Sequence, residues 1–204
     1  MKLADLLLQS ALLTGRVTVL LVYGVLVLFL LQHGIRVETA RRRARASDAR
    51  SWGGALLTVA FGALSPLSAW CRWGSLAGLF PPAAPAVLGG IGAVVMLVAL
   101  SFLLWSFALL GEAGHVLARV DEGSKLRVHG PYSLVRHPIY FALGLLFAGT
   151  ALAGLSWIGL ALAALWWPIA AHRAALEEGV LRASFGAEYE TYARRVPALW
   201  PKLN

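Results

Sequence analysis

Cysteine and charged residues are both scarce in this sequence. Cys71 supplies the only thiol among 204 residues, so an internal disulfide and a cysteine-rich metal site are excluded, and we expect no metal. Charged residues make up 14% of the chain, 59% of it is hydrophobic, and the mean hydropathy is +0.71. Because a soluble domain carries far more charge, the composition predicts an all-α integral membrane protein without a separate soluble domain.

The few charges are unbalanced in sign. Lys and Arg total 18 against 10 Asp and Glu, a net charge of +8. The arginines cluster in a short loop, residues 36–50, between two apolar segments, which the positive-inside rule explains better than nucleic-acid binding does. We therefore expect a bacterial inner (plasma) membrane protein with its N-terminus outside and its C-terminus cytoplasmic. Membrane lipids should surround it, and we expect neither nucleic acid nor an obligate protein partner.

About five apolar segments are predicted to span the membrane. They are residues 17–31, 52–70, 86–110, 139–152 and 155–171, and the last two are joined by a short Ala153-Gly154 link that indicates a helical hairpin. The first 16 residues either span the membrane or lie on it. No small-residue cleavage site follows Lys2, so we expect this end to be retained. Residues 71–85 should form an outer interfacial loop, and residues 111–137 a cytoplasmic one.

The character of the chain changes near its C-terminus. Residues 173–195 alternate glutamates with arginines and predict a charged amphipathic helix at the membrane surface, which Gly186 breaks and Pro197 ends. We divide the chain into a three-helix membrane region, residues 1–110, and a second part, residues 111–204. The second part combines a cofactor-binding loop, the hairpin and the C-terminal helix in one structural unit.

Two polar clusters fall on the same predicted membrane side. The first contains the turn His129-Gly130-Pro131-Tyr132 and then Arg136-His137-Pro138-Ile139-Tyr140, where Pro138 suits the first turn of a helix. An isolated Arg-His pair at a helix end is more often an interfacial anchor than a site. The neighbouring Gly-Pro-Tyr turn, Tyr140 and the downstream glutamates favour a functional role.

The second cluster is Arg173, Glu177, Glu178 and Arg182. Arg173 and Glu177 are four residues apart, as are Glu178 and Arg182, so each pair shares one helix face and can form an ion pair. On a solvated surface such pairs would be worth only about 0.5 kcal/mol. Ionisable groups near hydrocarbon are costly, so this position favours a functional use.

Together the two clusters resemble the isoprenylcysteine carboxyl methyltransferase and phospholipid methyltransferase superfamily. The resemblance covers residues 125–201 and is carried by Gly130-Pro131-Tyr132, Arg136-His137-Pro138-Ile139-Tyr140, Arg173, Glu177-Glu178, Phe185-Gly186, Tyr189, Tyr192 and Pro197. The chain departs from the family pattern at Ala142, where members usually have glycine, with Gly144 further on. It also has Glu112-Ala113-Gly114-His115 where many members have an Arg-Asn-Trp-like stretch.

The resemblance implies S-adenosyl-L-methionine as methyl donor, bound in a cytoplasmic pocket. Its implied cofactor-binding residues are His129, Gly130, Tyr132, Arg136, His137, Tyr140, Glu177 and Glu178, and its implied catalytic residues are Arg173 and Glu177. The implied acceptor is lipophilic, either an isoprenylcysteine-like carboxylate or a phospholipid amine, and Arg173 would hold it by the carboxylate of the first or the phosphate of the second. A base for an amine acceptor would be His129, His137 or a glutamate. We expect His137→Ala or Glu178→Ala to abolish cofactor binding with little loss of folded protein.

Two other function classes compete with this hypothesis. Sterol reductases resemble the same fold, use NADPH and carry an Arg-His-Pro-x-Tyr-like element, but they favour a different C-terminal pattern. A non-catalytic transporter or assembly factor would place charges in the middle of its helices, whereas segments one to three have none across their apolar centres.

Overall fold

The computed structural model describes residues 3–41, 49–81, 83–110 and 126–202. Its helices are α1 (Leu3–Arg41), α2 (Ala49–Trp70), α3 (Ala84–Leu110), α4 (Pro131–Leu134), α5 (Pro138–Gly154), α6 (Trp157–Phe185) and α7 (Ala187–Arg195), with a 3-10 turn at Ala77–Leu79. Within these ranges, strand-like pairing is limited to one isolated bridge between Ser75 and Ser156. The prediction of an all-α fold is confirmed for this part of the chain.

The first two helices are longer than the sequence indicated. α1 is continuous from Leu3 to Arg41, so the stretch 3–13 joins the first apolar segment and part of the arginine loop is helical. α2 begins at Ala49, ahead of the predicted start at residue 52. Arginine, alanine and glutamate are good helix formers, which explains why charge alone did not end α1. Residues 42–48 of the predicted loop lie outside the described ranges.

The prediction of a separate amphipathic helix starting at residue 173 is wrong. α6 runs from Trp157 to Phe185, so the fifth apolar segment and the first half of the amphipathic stretch form one helix. Neither Pro168 nor Gly179, which both lie inside α6, ends it. The predicted break at Gly186 is confirmed: this residue has φ +51°, a conformation open to glycine, and α7 follows it.

The helical hairpin is confirmed, but its link lies two residues later than predicted. α5 starts at Pro138 and continues through Gly154, and Leu155 then adopts a left-handed conformation with φ +48°. Ser156 caps α6, because its Oγ accepts a hydrogen bond from the Gly159 amide at 3.0 Å. The link is therefore Leu155-Ser156.

α5 is the central helix of the bundle and packs against α1, α2, α3 and α6. Ala142 and Leu146 on α5 are fully buried, as are Met96 and Ala99 on α3. Outward-facing apolar side chains such as Leu21 and Val94 are instead more than half exposed. Large apolar side chains on the outer surface are the arrangement expected of a bundle whose surroundings are lipid.

One helix in the described ranges, α3, is long and apolar enough by itself to cross a membrane. Shorter apolar stretches occur at Leu13–Phe29, Leu57–Trp70 and Pro138–Gly154. The number of about five spanning helices stays a prediction, as does the division of the chain at residue 110.

Gly92→Ala should destabilise the fold by about 1–3 kcal/mol through overpacking at the α3–α5 contact. A Cβ at Gly92 would lie 2.5 Å from the Ala153 amide nitrogen and 2.6 Å from the Gly149 carbonyl oxygen, and backbone atoms cannot move aside easily. Gly90→Ala is the matched control, since its Cβ would meet nothing within 4 Å and alanine favours helix. Thermal unfolding in detergent checks both, and equal midpoints for the two variants would contradict the packing argument.

Candidate functional site

The site is built where the start of α5, the second half of α6 and the segment after α7 meet. Pro138 fixes the start of α5 and leaves Arg136 and His137 in the extended turn before it. The Arg136 amide donates to the Pro197 carbonyl at 2.8 Å, and the His137 amide donates to the Ala198 carbonyl at 3.0 Å. The C-terminal segment therefore holds the backbone of this turn.

Arg136 connects α6 to the end of the chain. Its Nε and Nη2 donate to Glu178 Oε1 at 2.9 and 2.5 Å. Its Nη1 donates to the carbonyl oxygens of Ala193 and Val196. Every guanidinium nitrogen thus donates to a protein acceptor, and the side chain is only 12% exposed. Most of its donor capacity is used inside the protein.

His137 lies between the two glutamates of α6. Its Nδ1 is 3.4 Å from Glu177 Oε2, and its Nε2 is 3.4 Å from Glu178 Oε1. Burial alone would lower the pKa of His137, but the two carboxylates outweigh burial and raise it. Nε2 is buried and has no well-oriented hydrogen-bond partner in the described part of the chain.

Glu178 is the buried anion of the cluster. Burial by itself would raise its pKa, but His137 and Arg136 overcome this effect and lower the pKa to about 2. Arg182 also donates to its other oxygen, from Nη2 to Oε2 at 2.9 Å. The expectation that Glu178→Ala leaves the protein folded does not fit this burial, because Arg136 would lose its counter-ion.

Arg173, Glu177 and Tyr140 form the second half of the cluster. Tyr140 Oη donates a short hydrogen bond to Glu177 Oε1, and Arg173 Nε donates to Tyr140 Oη at 3.1 Å. The predicted i,i+4 pair is present but long, with Arg173 Nη2 3.8 Å from Glu177 Oε1. The Arg173 guanidinium carbon lies 5.6 Å from the centre of the Tyr140 ring. These contacts commit only part of the guanidinium, in contrast to Arg136.

The remaining predicted residues occupy the turn before α5. Tyr132 is buried, and its Oη is 3.4 Å from the Ser106 carbonyl oxygen on α3. Gly130 has φ +61°, and a Cβ there would come within 2.5 Å of Leu109 Cδ1, so this position requires glycine. His129 is exposed, and no described contact joins its side chain to the glutamates. The turn thus supports the site rather than lying in its centre.

Two tyrosines of α7 belong to the site although sequence reasoning gave them no role. Tyr192 Oη donates to the Tyr132 carbonyl at 2.6 Å and so ties α7 to the turn. Tyr189 is fully buried, its Oη has no partner among the described residues, and burial raises its pKa to about 12. Their presence in the family pattern was the signal that could have identified them. Residues 111–125 of the predicted loop 111–137 lie outside the described residues.

His137 should make stability fall as pH rises through the neutral range. Because its folded pKa is raised, its stabilising contribution is complete below about pH 6.5 and is lost as pH rises through the folded pKa. Thermal midpoints measured from pH 6 to 9 should decline in the wild type and change less in His137→Gln. His172→Gln, which removes an exposed histidine of α6, should keep the wild-type slope. A wild-type slope in His137→Gln would contradict the assignment.

Comparisons with known proteins identify the class of this fold. The described helices match a solved structure of the eukaryotic intramembrane Ras methyltransferase, isoprenylcysteine carboxyl methyltransferase, with a TM-score of 0.58. The match covers 96% of this chain and 72% of that one, at 19% sequence identity. The fold is therefore that of an intramembrane methyltransferase.

Sequence comparisons give the family. Residues 88–188 match the family model described as phospholipid methyltransferase. A segment of 87 residues is 36% identical to protein-S-isoprenylcysteine O-methyltransferase B of Arabidopsis thaliana and covers 42% of this chain and 44% of that protein. The chain belongs to the isoprenylcysteine carboxyl methyltransferase and phospholipid methyltransferase superfamily, whose members are integral membrane methyltransferases. The sequence-based identification is confirmed.

Proposed function

We propose that this protein is an S-adenosyl-L-methionine-dependent methyltransferase that acts on a lipophilic acceptor at the cytoplasmic membrane face. The observation that carries the proposal is the cluster of His137, Glu177 and Glu178 at one end of the bundle, formed by the motifs that identify the family. The matched segment spans under half of the plant relative, so its activity supports the proposal by analogy alone.

The cluster fits the methionine end of the donor, which carries one ammonium and one carboxylate. Glu177 is the more accessible of the two glutamates, with 23% of its side chain exposed, and can accept from the ammonium. His137 Nε2 has no well-oriented hydrogen-bond partner in the described ranges, although Glu178 Oε1 lies 3.4 Å away, and Tyr189 Oη has no partner there, so both could donate to the carboxylate. In this proposal Arg136 positions the site rather than binding the donor, because its three guanidinium nitrogens already donate hydrogen bonds to Glu178 and to backbone carbonyl oxygens.

The bound donor would supply a methyl group activated by an adjacent sulfonium. The protein's residues then have to orient the acceptor and exclude water, which are the main sources of acceleration in an in-line displacement. Arg173, held by Tyr140 and Glu177, is the candidate for the acceptor's anionic group. A guanidinium binds either a carboxylate or a phosphate, so both an isoprenylcysteine-like acid and a phospholipid fit.

The first experiment is calorimetric titration of the detergent-purified protein with S-adenosylhomocysteine and, separately, with NADPH. We expect binding of the first alone. NADPH binding alone would favour a sterol-reductase-like activity, and binding of neither would favour a non-catalytic role. Transfer of labelled methyl from the donor to an isoprenylated cysteine or to phosphatidylethanolamine then distinguishes the two acceptor classes.

We further propose a bacterial inner-membrane location with the N-terminus outside and the C-terminus in the cytoplasm. The arginine-rich stretch between α1 and α2 supports this orientation. Cys71, the only cysteine, is exposed at the end of α2 that would face outside. A membrane-impermeant maleimide should label Cys71 in cells whose inner membrane is intact and accessible from outside. Labelling only after the membrane is permeabilised would reverse the orientation.

A further inference from the structure

Arg16 and Arg72 lie together at the end of the bundle opposite the glutamate cluster. Both line a small cavity, partly open to solvent, between the N-terminal half of α1, the end of α2 and the end of α5. His137 precedes the first residue of α5 and Gly154 is its last, so the length of this helix separates the two sites. The backbone of Gly154 forms part of the cavity wall.

Both arginines have incomplete sets of partners. Arg16 Nη2 donates to the Trp70 carbonyl at 3.3 Å, and its guanidinium lies 5.4 Å from the Trp70 ring centre. Arg72 Nη2 donates to Ser75 Oγ at 3.0 Å. The Nε atoms of both arginines are buried without a hydrogen-bond partner, and no carboxylate of the described residues pairs with either guanidinium. Two partly buried guanidinium groups, each with a buried Nε that lacks an acceptor, would gain hydrogen bonds from an anion at this cavity.

The backbone of Arg72 strengthens this argument. It has φ +55° at the turn that ends α2, where the Trp73 amide donates to the Ser68 carbonyl at 3.0 Å. Glycine is the residue that helix ends of this kind favour, because a side chain is strained at positive φ. An arginine at this position therefore carries backbone strain, while its guanidinium lines the cavity.

We propose that this cavity binds the phosphate group of a membrane phospholipid, at the membrane face opposite the methyltransferase site. Arginine matches phosphate with paired N–H donors. Trp70, Trp73 and Trp157 are each about half exposed at this end, as indoles are at a membrane interface. Val17, Leu20 and Leu21 are exposed on α1 just beyond Arg16, where acyl chains would lie. This apolar border favours a lipid over free phosphate.

Arg72→Gly separates binding from folding. Glycine relieves the positive φ, so this variant should unfold at the wild-type temperature or above it. Native mass spectrometry of the detergent-purified protein, titrated with phosphatidylglycerol, should nevertheless show half-saturation at a concentration at least tenfold higher. Arg16→Gln should weaken binding to a similar extent. Arg194→Gln, which removes one exposed arginine of α7, is the charge-matched control and should bind as the wild type does.

Two further probes test the chemistry. Diacylglycerol, which lacks the phosphate, should bind wild type and Arg72→Gly equally and weakly. Inorganic phosphate in large molar excess over phosphatidylglycerol should not displace the lipid from the wild-type protein. Wild-type affinity for phosphatidylglycerol in both arginine variants would overturn the site, and competition by inorganic phosphate as strong as that by the lipid would overturn the lipid as its occupant.

Discussion

Glu178→Ala should lower the free energy of unfolding by about 3 kcal/mol, the lower end of the cost of breaking a buried ion pair from one side. The glutamate is 7% exposed and pairs with Arg136, which would keep its charge without the carboxylate. Because Arg136 also holds the carbonyl oxygens of Ala193 and Val196, the C-terminal segment should loosen first. Denaturant unfolding measures the total, and amide exchange in residues 187–198 measures the local effect.

Glu190→Ala is the matched control for that variant. Glu190 also pairs with an arginine, Arg182, through an Nε to Oε1 bond of 3.0 Å, but both side chains are nearly half exposed. An exposed pair contributes at most about 1 kcal/mol, so the control should unfold close to the wild type. Similar losses in both variants would show that burial does not govern the Glu178 cluster.

The low pKa of Glu178 makes its contribution to the free energy of unfolding depend on pH. This contribution is present above about pH 4.3 and is lost as pH falls towards 2.

Arg173→Ala should reduce kcat/KM for the acceptor by about 100-fold, corresponding to about 2.7 kcal/mol of lost transition-state stabilisation. In the proposed function Arg173 holds the acceptor's anionic group, and its own protein contacts are one hydrogen bond to Tyr140, a position 5.6 Å from the Tyr140 ring centre and a 3.8 Å approach to Glu177. Its removal should therefore change stability little. Affinity for S-adenosylhomocysteine should stay within about twofold of the wild type, because the donor is assigned to other residues.

Two companion variants make this result interpretable. Arg173→Lys keeps the charge but loses the planar pair of donors, so it should recover only part of the activity. Arg195→Ala removes an exposed arginine from α7 and should leave both kcat/KM and donor affinity unchanged. If Arg173→Ala lost donor affinity as strongly as acceptor turnover, its assignment to the acceptor would be wrong.

Sequence periodicity and helix signals predicted much of the fold because they report local interactions. Pro138 at the start of α5 and Gly186 between α6 and α7 act through their own backbone preferences. The i,i+4 spacing likewise predicted that Arg182 and Glu178 would meet. The predicted end of the fifth segment near Ala171 was wrong, because polarity changes there while helix propensity does not.

The sequence by itself determined the membrane composition, most of the helix positions and the two motifs that identify the family. Only the tertiary structure decided that Arg136 donates hydrogen bonds to Glu178 and to C-terminal carbonyl oxygens, and that Arg16 and Arg72 line the same cavity at the opposite end. Arg136 and Glu178 are 42 residues apart, and Arg16 and Trp70 are 54 apart. No local preference encodes such pairs, because they depend on how α5 packs against the helices around it.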